Sequence, residues 1–251
     1  METLGSAAPG TPEERRPAAA RDERGGEGER DVRRTHGPEG LERPEPGIGR
    51  ATRMDYAFKV LVVGDPKVGK TSVVNRYVHG SFTLHYQLTL GVEFALKVLH
   101  RPDCIVRLQL RDIAGQEKAG TMTRVYFRDA TAAIVVFDLT RPNTLESVKE
   151  WKRDIDTKLS LPGGRKIPAV LLANKSDLPP HPSVDQHVLD ELVSDQQFIA
   201  WFMTSAKNDD NINEAADFLV DRTIRDYEET RALSLPTRSK DTISLAGGGG
   251  G

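Results

Sequence analysis

Between about residues 55 and 227, apolar runs of strand length alternate with segments of helical period. The runs "FKVLVV" (Phe58 to Val63), "VEFALKVL" (Val92 to Leu99), "CIVRLQL" (Cys104 to Leu110), "AAIVVF" (Ala132 to Phe137) and "AVLLA" (Ala169 to Ala173) predict strands, with a short sixth at "WFMT" (Trp201 to Thr204). Between them Leu145, Val148, Trp151, Ile155 and Leu159 recur at helical spacing, and so do Ile212, Ala216, Leu219, Thr223 and Tyr227. Strands apolar along their whole length and separated by helices predict an α/β fold, a mostly parallel six-stranded sheet with helices on both faces. In such a sheet the ligand sits beyond the carboxyl ends of the strands, in the loops that follow them.

Composition changes the picture at the two ends. The chain is 251 residues long and 37% hydrophobic, low for a packed domain of that length. From Met1 to about Arg53 it is mostly Arg, Glu, Gly, Pro and Ala, as in "RDERGGEGERDVRRTHGPEG", and has almost nothing to bury against its ordering entropy. The other end, "LSLPTRSKDTISLAGGGGG", is polar and closes in a glycine run. The expected division is a disordered charged arm over 1–53, one compact domain over 54–228 and a disordered tail over 229–251.

Charge and cysteine content then exclude several function classes. The formal charge is 35 minus 37, or -2, which points to neither nucleic acid nor an acidic membrane face as partner. Cys104 is the single cysteine, so an internal disulfide framework and a cysteine-built zinc site are excluded, and a reducing, cytoplasmic setting is expected. No apolar run approaches the roughly 20 residues that span a bilayer. The start "METL" shows neither a signal peptide nor the glycine that myristoylation needs. A monomer is expected.

The first chemistry-bearing motif follows the first predicted strand. "GDPKVGKTS", residues 64–72, has the spacing G-x-x-x-x-G-K-[ST] at Gly64, Gly69, Lys70 and Thr71. A chance match in a chain of this length has odds on the order of one percent. The pattern suits phosphates: the loop Asp65, Pro66, Lys67, Val68 turns its backbone around them, and a helix starting near Lys70 adds its N-terminal dipole. Lys70 reaches the β and γ phosphates, the Thr71 hydroxyl binds Mg²⁺, and Ser72 completes the segment.

The base is addressed farther along. "NKSD" (Asn174 to Asp177) follows the strand "AVLLA". The Asp177 carboxylate can accept from the guanine N1–H and exocyclic amine, an arrangement adenine does not offer. The Lys175 stem can lie over the base, and Asn174 can tie this loop to the phosphate loop. "SAK" (Ser205, Ala206, Lys207) follows the last short strand and would present the Ala206 N–H to the guanine O6. "DIAGQE" (Asp112 to Glu117) ends the third strand, so Asp112 can hold the Mg²⁺ shell, Gly115 can meet the γ phosphate, and Gln116 can orient the attacking water.

With these motifs in order, the segment from about Tyr56 to Tyr227 resembles a small GTPase of the Ras superfamily, with its P-loop NTPase fold. "WKRDIDTKLSLPGGRKIPAVLLANKSD", "YVHGSF", "GVEFALKVL", "MTRVYF" and the isoleucine of "DIAGQE" resemble the Rab branch serving lysosome-related organelles such as melanosomes. The resemblance implies further roles: Phe82 packs on the guanine base, Tyr86 closes over the phosphates, and Thr89 meets Mg²⁺ and the γ phosphate. The 19 residues from Lys70 to Thr89 match the family's interval. It also implies bound GTP or GDP with Mg²⁺, slow hydrolysis, an exchange factor, a TBC-type activating protein and membrane-traffic effectors.

Departures from the family pattern sharpen the expectation. Pro66 and Lys67 replace smaller residues: proline removes an N–H and lysine adds charge near the phosphates. Arg111 stands where Rabs place a tryptophan that joins Phe94 and Tyr126 in reading effectors, and Lys118 and Ala119 stand where an aromatic is expected. Rabs end in prenylated cysteines, and this tail contains none, so recruitment to endosomal or lysosome-related membranes is expected to need a partner. Two readings stay open: a GTP-hydrolysing traffic switch, and a poorly hydrolysing GTP-binding scaffold. An adenine-nucleotide enzyme is disfavoured by Asn174, Lys175 and Asp177.

Overall fold

Six strands form one sheet in the order β2-β3-β1-β4-β5-β6. They are β1 (Met54–Val63), β2 (Val92–His100), β3 (Cys104–Ile113), β4 (Ala132–Asp138), β5 (Ala169–Asn174) and β6 (Ala200–Thr204). The helices are α1 (Lys70–His79), α2 (Thr123–Phe127), α3 (Pro142–Lys158), α4 (Gln186–Gln196) and α5 (Ile212–Ser234). This computed structural model describes residues 53–85, 87–116 and 123–234. The N-terminal arm, the glycine-ended tail, Tyr86 and the residues Glu117, Lys118 and Ala119 lie outside the described residues.

Burial explains the order. β1 begins in alternation, with Tyr56 and Phe58 buried and Asp55 and Ala57 exposed, then is buried at every position from Val60 to Val63. That change marks passage from the rim of the sheet to its centre, where helices cover both faces. One core joins β1 and β3 to α1 and α5 through residues such as Phe58, Val74, Leu108 and Leu219. The other joins β4 and β5 to α3 and α4 through Phe137, Trp151, Ile155 and Leu189. Truncating a fully buried aromatic such as Phe58 or Trp151 to alanine costs roughly 3–5 kcal/mol. Local signals agree: Pro142 opens α3 without losing a needed N–H, and the Asp185 carboxylate caps α4 by accepting from Val188 N at 2.9 Å.

Three expectations shift. β2 is apolar in composition but is an edge strand paired antiparallel with β3, and Phe94, Leu96 and Val98 on one of its faces are exposed. Ala95 and Leu99 pack against one core and Val92 against the other, while no helix covers the opposite face of this hairpin among the described residues. Tyr227 is half exposed rather than core, yet its ring meets those of Tyr56 and Phe58 edge-on at 5.8 and 5.9 Å. And α5 continues past residue 228 to Ser234, so the domain's last helix takes in the first residues assigned to the tail.

Lys152 is the one fully buried charge of α3, its ammonium bound to both oxygens of Asp156 at 2.6 and 2.8 Å and facing the Phe198 ring at 5.6 Å. Burial lowers its pKa despite the Asp156 carboxylate. Asp156 also binds Lys166 at 2.7 Å, so removing Lys152 does not strand a bare carboxylate. Lys152→Ala should therefore cost about 2–4 kcal/mol through the cavity it leaves, and Lys152→Met under about 1 kcal/mol. Urea unfolding of both variants checks this; equal losses would mean that charge rather than volume matters.

Candidate functional site

The carboxyl ends of β1, β3, β5 and β6 face one side of the sheet, and the loops after them enclose a cavity of about 480 Å³ together with the segment 81–89. Pro66, Lys67, Gly69, Lys70, Thr71, Ser72, Phe82, Thr89, Gly115, Gln116, Asn174, Lys175, Asp177, Ala206 and Lys207 line it. Val68, Asp112 and Ser205 are buried behind this wall, and Asp65 turns its carboxylate to the Trp151 indole N–H at 2.9 Å. Tyr86 lies outside the described residues.

At one end, α1 begins at Lys70 directly after Gly69, whose φ of 98° a side chain would make strained. A Cβ there would also overlap the Asn174 amide. The Lys70 ammonium is buried and donates to the Gly64 and Asp65 carbonyls at 2.9 and 3.0 Å, closing the loop into a ring. Burial pulls its pKa down to about 8, against the opposing fields of Asp112 and Asp65. Three residues before Lys70, Lys67 sits at φ 66°, a left-handed conformation that costs a non-glycine residue roughly 1–2 kcal/mol. Gly115 presses against the Pro66 nitrogen and the Asp65 carbonyl carbon so closely that a Cβ would collide with both.

Beside the loop, the Thr71 hydroxyl lies 2.9 Å from that of Thr89 and donates to Asp112 Oδ2. Asp112 Oδ1 is buried with no partner, and burial pushes the carboxyl up to about 6, although the Thr71 hydrogen bond and Lys70 pull the other way. One orphaned carboxylate oxygen and two hydroxyls suit Mg²⁺, which keeps waters and phosphate oxygens in its shell instead of filling it with protein ligands. No cluster of three His, Cys, Asp or Glu side chains fit for a metal occurs among the described residues.

At the other end, Asn174 is buried; its amide donates to the Val68 carbonyl at 2.8 Å and its oxygen accepts from Ala206 N at 3.4 Å. Asp177 accepts from the Ser205 hydroxyl at 2.8 Å and pairs with Lys207 at 3.3 Å. Burial would raise its carboxyl, but these two partners hold it below the usual carboxylate range. Arg76 of α1 donates to the Ala206 and Lys207 carbonyls at 2.9 and 3.0 Å, fixing the "SAK" loop from below. Phe82 is half-buried against the α1 side of the core.

Comparison with known proteins bears on this geometry. The Ras family model matches residues 59–225. Ras-related protein Rab-32 of Homo sapiens is 47% identical over 207 residues, covering 80% of this chain and 90% of that protein. Ras-related protein Rab-7L1 of Homo sapiens is 49% identical over 192 residues, 76% of this chain and 93% of its own. Rab-32B of Dictyostelium discoideum is 47% identical over 191 residues, 76% and 72% of the two chains. The chain belongs to the Ras family. It is a Rab GTPase, a GTP-binding switch of membrane traffic, and Ras-type GTPases carry GTP or GDP with Mg²⁺. Such switches work with exchange factors, activating proteins and effectors.

Away from the cleft, this Rab GTPase gathers Phe94, Arg111 and Tyr126. Phe94 pairs in register with Arg111, whose guanidinium stacks 5.7 Å from the ring and donates to the Tyr126 carbonyl and, at 3.2 Å, to that of Arg128. The arginine thus links the Phe94 ring to the backbone at Tyr126.

Sequence reasoning overlooked Asp138, at the carboxyl end of β4, where the topology should have directed attention. Its buried carboxylate accepts from Lys175 at 2.6 Å, from Arg141 at 2.9 Å and from Thr140 N and Oγ1 at 2.9 and 2.7 Å. Burial alone would raise this carboxyl; the hydrogen bonds from Lys175, Thr140 and Arg141 outweigh it and hold the pKa low. A depressed folded pKa gives stability above the unfolded value near 4 that disappears as pH falls through the folded one. Asp138→Asn should accordingly cost about 2–4 kcal/mol at pH 7, and the gap to the parent protein should begin to narrow as pH falls below about 4 and close only below the depressed folded pKa. Urea unfolding at pH 7 and pH 3 measures the change; a gap as large at pH 3 as at pH 7 would contradict the assignment.

Proposed function

We propose that the cleft holds GTP or GDP along its length and hydrolyses GTP slowly, so that nucleotide state decides which traffic partners bind. The observation that carries this reading is the convergence, in one cavity of about 480 Å³, of Lys70, Thr71 and Thr89, with Asp112 directly behind them, at one end and Asn174, Asp177 and Ala206 at the other. Its size suits a nucleotide. The chemistry at its ends differs as a nucleotide requires, with a cation and N–H groups for phosphates and a carboxylate for guanine.

In this reading the N–H groups at the start of α1 and the Lys70 ammonium bind the β and γ phosphates. Thr71, Thr89 and Asp112 would hold Mg²⁺, which supplies neutralisation of phosphate charge. Gln116, exposed at the mouth, orients the attacking water. The Gly115 N–H and the Thr89 backbone meet the γ phosphate, and both segments relax when it leaves. Asp177 accepts from guanine, Ala206 N donates to its O6, and the Lys175 stem and Phe82 flank the base and ribose side. Phe94, Arg111 and Tyr126 form the surface that effectors read. With no trans-acting group, turnover should be on the order of 10⁻⁴ s⁻¹, rising roughly 10³ to 10⁵-fold with a TBC-type activator that brings an arginine. The resemblance to the lysosome-related branch supports work at endosomal or lysosome-related membranes, with the chain recruited peripherally. No helix of the described residues is long and apolar enough to cross a membrane.

A poorly hydrolysing scaffold is the second reading, favoured by the strained Lys67 and by Pro66, which offers no N–H where Gly115 closes over the loop. Single-turnover hydrolysis of bound GTP with and without a TBC-type activator separates the two. The switch reading expects activator-stimulated turnover that Gln116→Leu abolishes while GTP stays bound; no turnover even with activator leaves the scaffold. Asp177→Ala should lower the preference for GTP over ATP by about 100-fold or more, read by competition binding.

A further inference from the structure

We propose that the α3 segment sets how long nucleotide stays bound, by positioning the phosphate loop through two donors, Arg141 and Trp151. The proposal rests on the nucleotide-binding reading above. Arg141 precedes α3; its Nη2 donates to the Pro66 carbonyl at 3.0 Å, and its Nε binds the buried Asp138 carboxylate at 2.9 Å. Trp151, fully buried on α3, donates its indole N–H to the Asp65 carboxylate at 2.9 Å. Two consecutive residues of the loop are therefore held from the same helical segment.

The loop has reason to need this. Proline has no N–H, so its carbonyl is the only backbone group by which Pro66 can be hydrogen-bonded, and Arg141 takes it. Lys67 comes next, at φ 66°. A non-glycine residue keeps such a conformation only when its surroundings over-determine it. Gly115 presses on Pro66 from one side, and Arg141 and Trp151 fix Pro66 and Asp65 from the other. Released from the α3 side, Lys67 can fall back to a right-handed conformation and open the ring that Lys70 closes. Arg141 also extends the link to the base end, because the Asp138 oxygen it holds is the one that binds Lys175. Arg141 and Trp151 are positioning residues: both act through the loop.

The test measures release of a fluorescent GDP analogue, with Mg²⁺ in excess, from the full chain and from Arg141→Gln and Trp151→Phe. The second variant keeps most of the buried ring and removes only the donor, so it serves if the first does not fold. Each should release nucleotide about tenfold faster, the ratio that loss of one charge-assisted hydrogen bond predicts. Lys67→Gly supplies the control that a merely structural role would not pass. Glycine adopts the left-handed turn without strain, so in a Lys67→Gly background the same two substitutions should speed release by less than about twofold. Release at the parent rate overturns the proposal, and so does a faster release that Lys67→Gly leaves undiminished. Failure of the parent protein to bind the analogue would instead overturn the nucleotide-binding reading.

Discussion

Asn174 is a single buried side chain at the end of β5 on which three loops depend. Its amide N–H grips the phosphate loop at Val68, and its oxygen receives Ala206 N from the loop after β6. Each of those loops leaves a different strand, and nothing in a parallel sheet makes such loops meet; the sheet only delivers them to the same edge. A short, uncharged side chain with a donor and an acceptor can satisfy both neighbours at once without carrying a charge into the interior. The absence of a Cβ at Gly69 is the other half of the arrangement, since a methyl group there would occupy the place of the amide.

The same economy governs the charged groups around the cleft. Asp138 is tolerated as a buried anion because Lys175, Arg141 and Thr140 surround it, and its position at the carboxyl end of β4 lets it serve both ends of the site. Lys70 and Asp112 are less well provided for: both are buried, and in both burial is the dominant influence on the pKa. In both, unlike Asp138, burial outweighs the partners and shifts the pKa toward the uncharged form, and a nucleotide and its metal would complement these two charges.

Much of this was legible in the sequence, and the limits have physical causes. All six strands announced themselves as apolar runs, but β1 and β3 run further than their runs, through Met54–Ala57 and Arg111–Ile113, because ladder pairing continues through charged residues such as Asp55, Arg111 and Asp112 that interrupt the apolar pattern. The phosphate and base motifs were readable because phosphate and guanine chemistry compress several groups into a few consecutive residues. The contacts that brace them are not compressed. Arg141 reaches Pro66 across 75 residues, and Trp151 reaches Asp65 across 86. Trp151 was read as part of a core stripe, and its ring is there; periodicity cannot report where an indole N–H points. β2 misled in the opposite direction, since composition does not distinguish a strand covered on both sides from an edge strand with one face open.

The orphaned Asp112 oxygen and the sequestered Lys70 ammonium also bear on what counts as the native state. A polyanion with a divalent cation that binds these buried charges in the folded state alone stabilises the fold by mass action. The nucleotide is then a component of the folded assembly as much as a message it carries. Loss of the ligand during exchange would remove that stabilisation, and contacts with a protein that catalyses exchange would have to offset it.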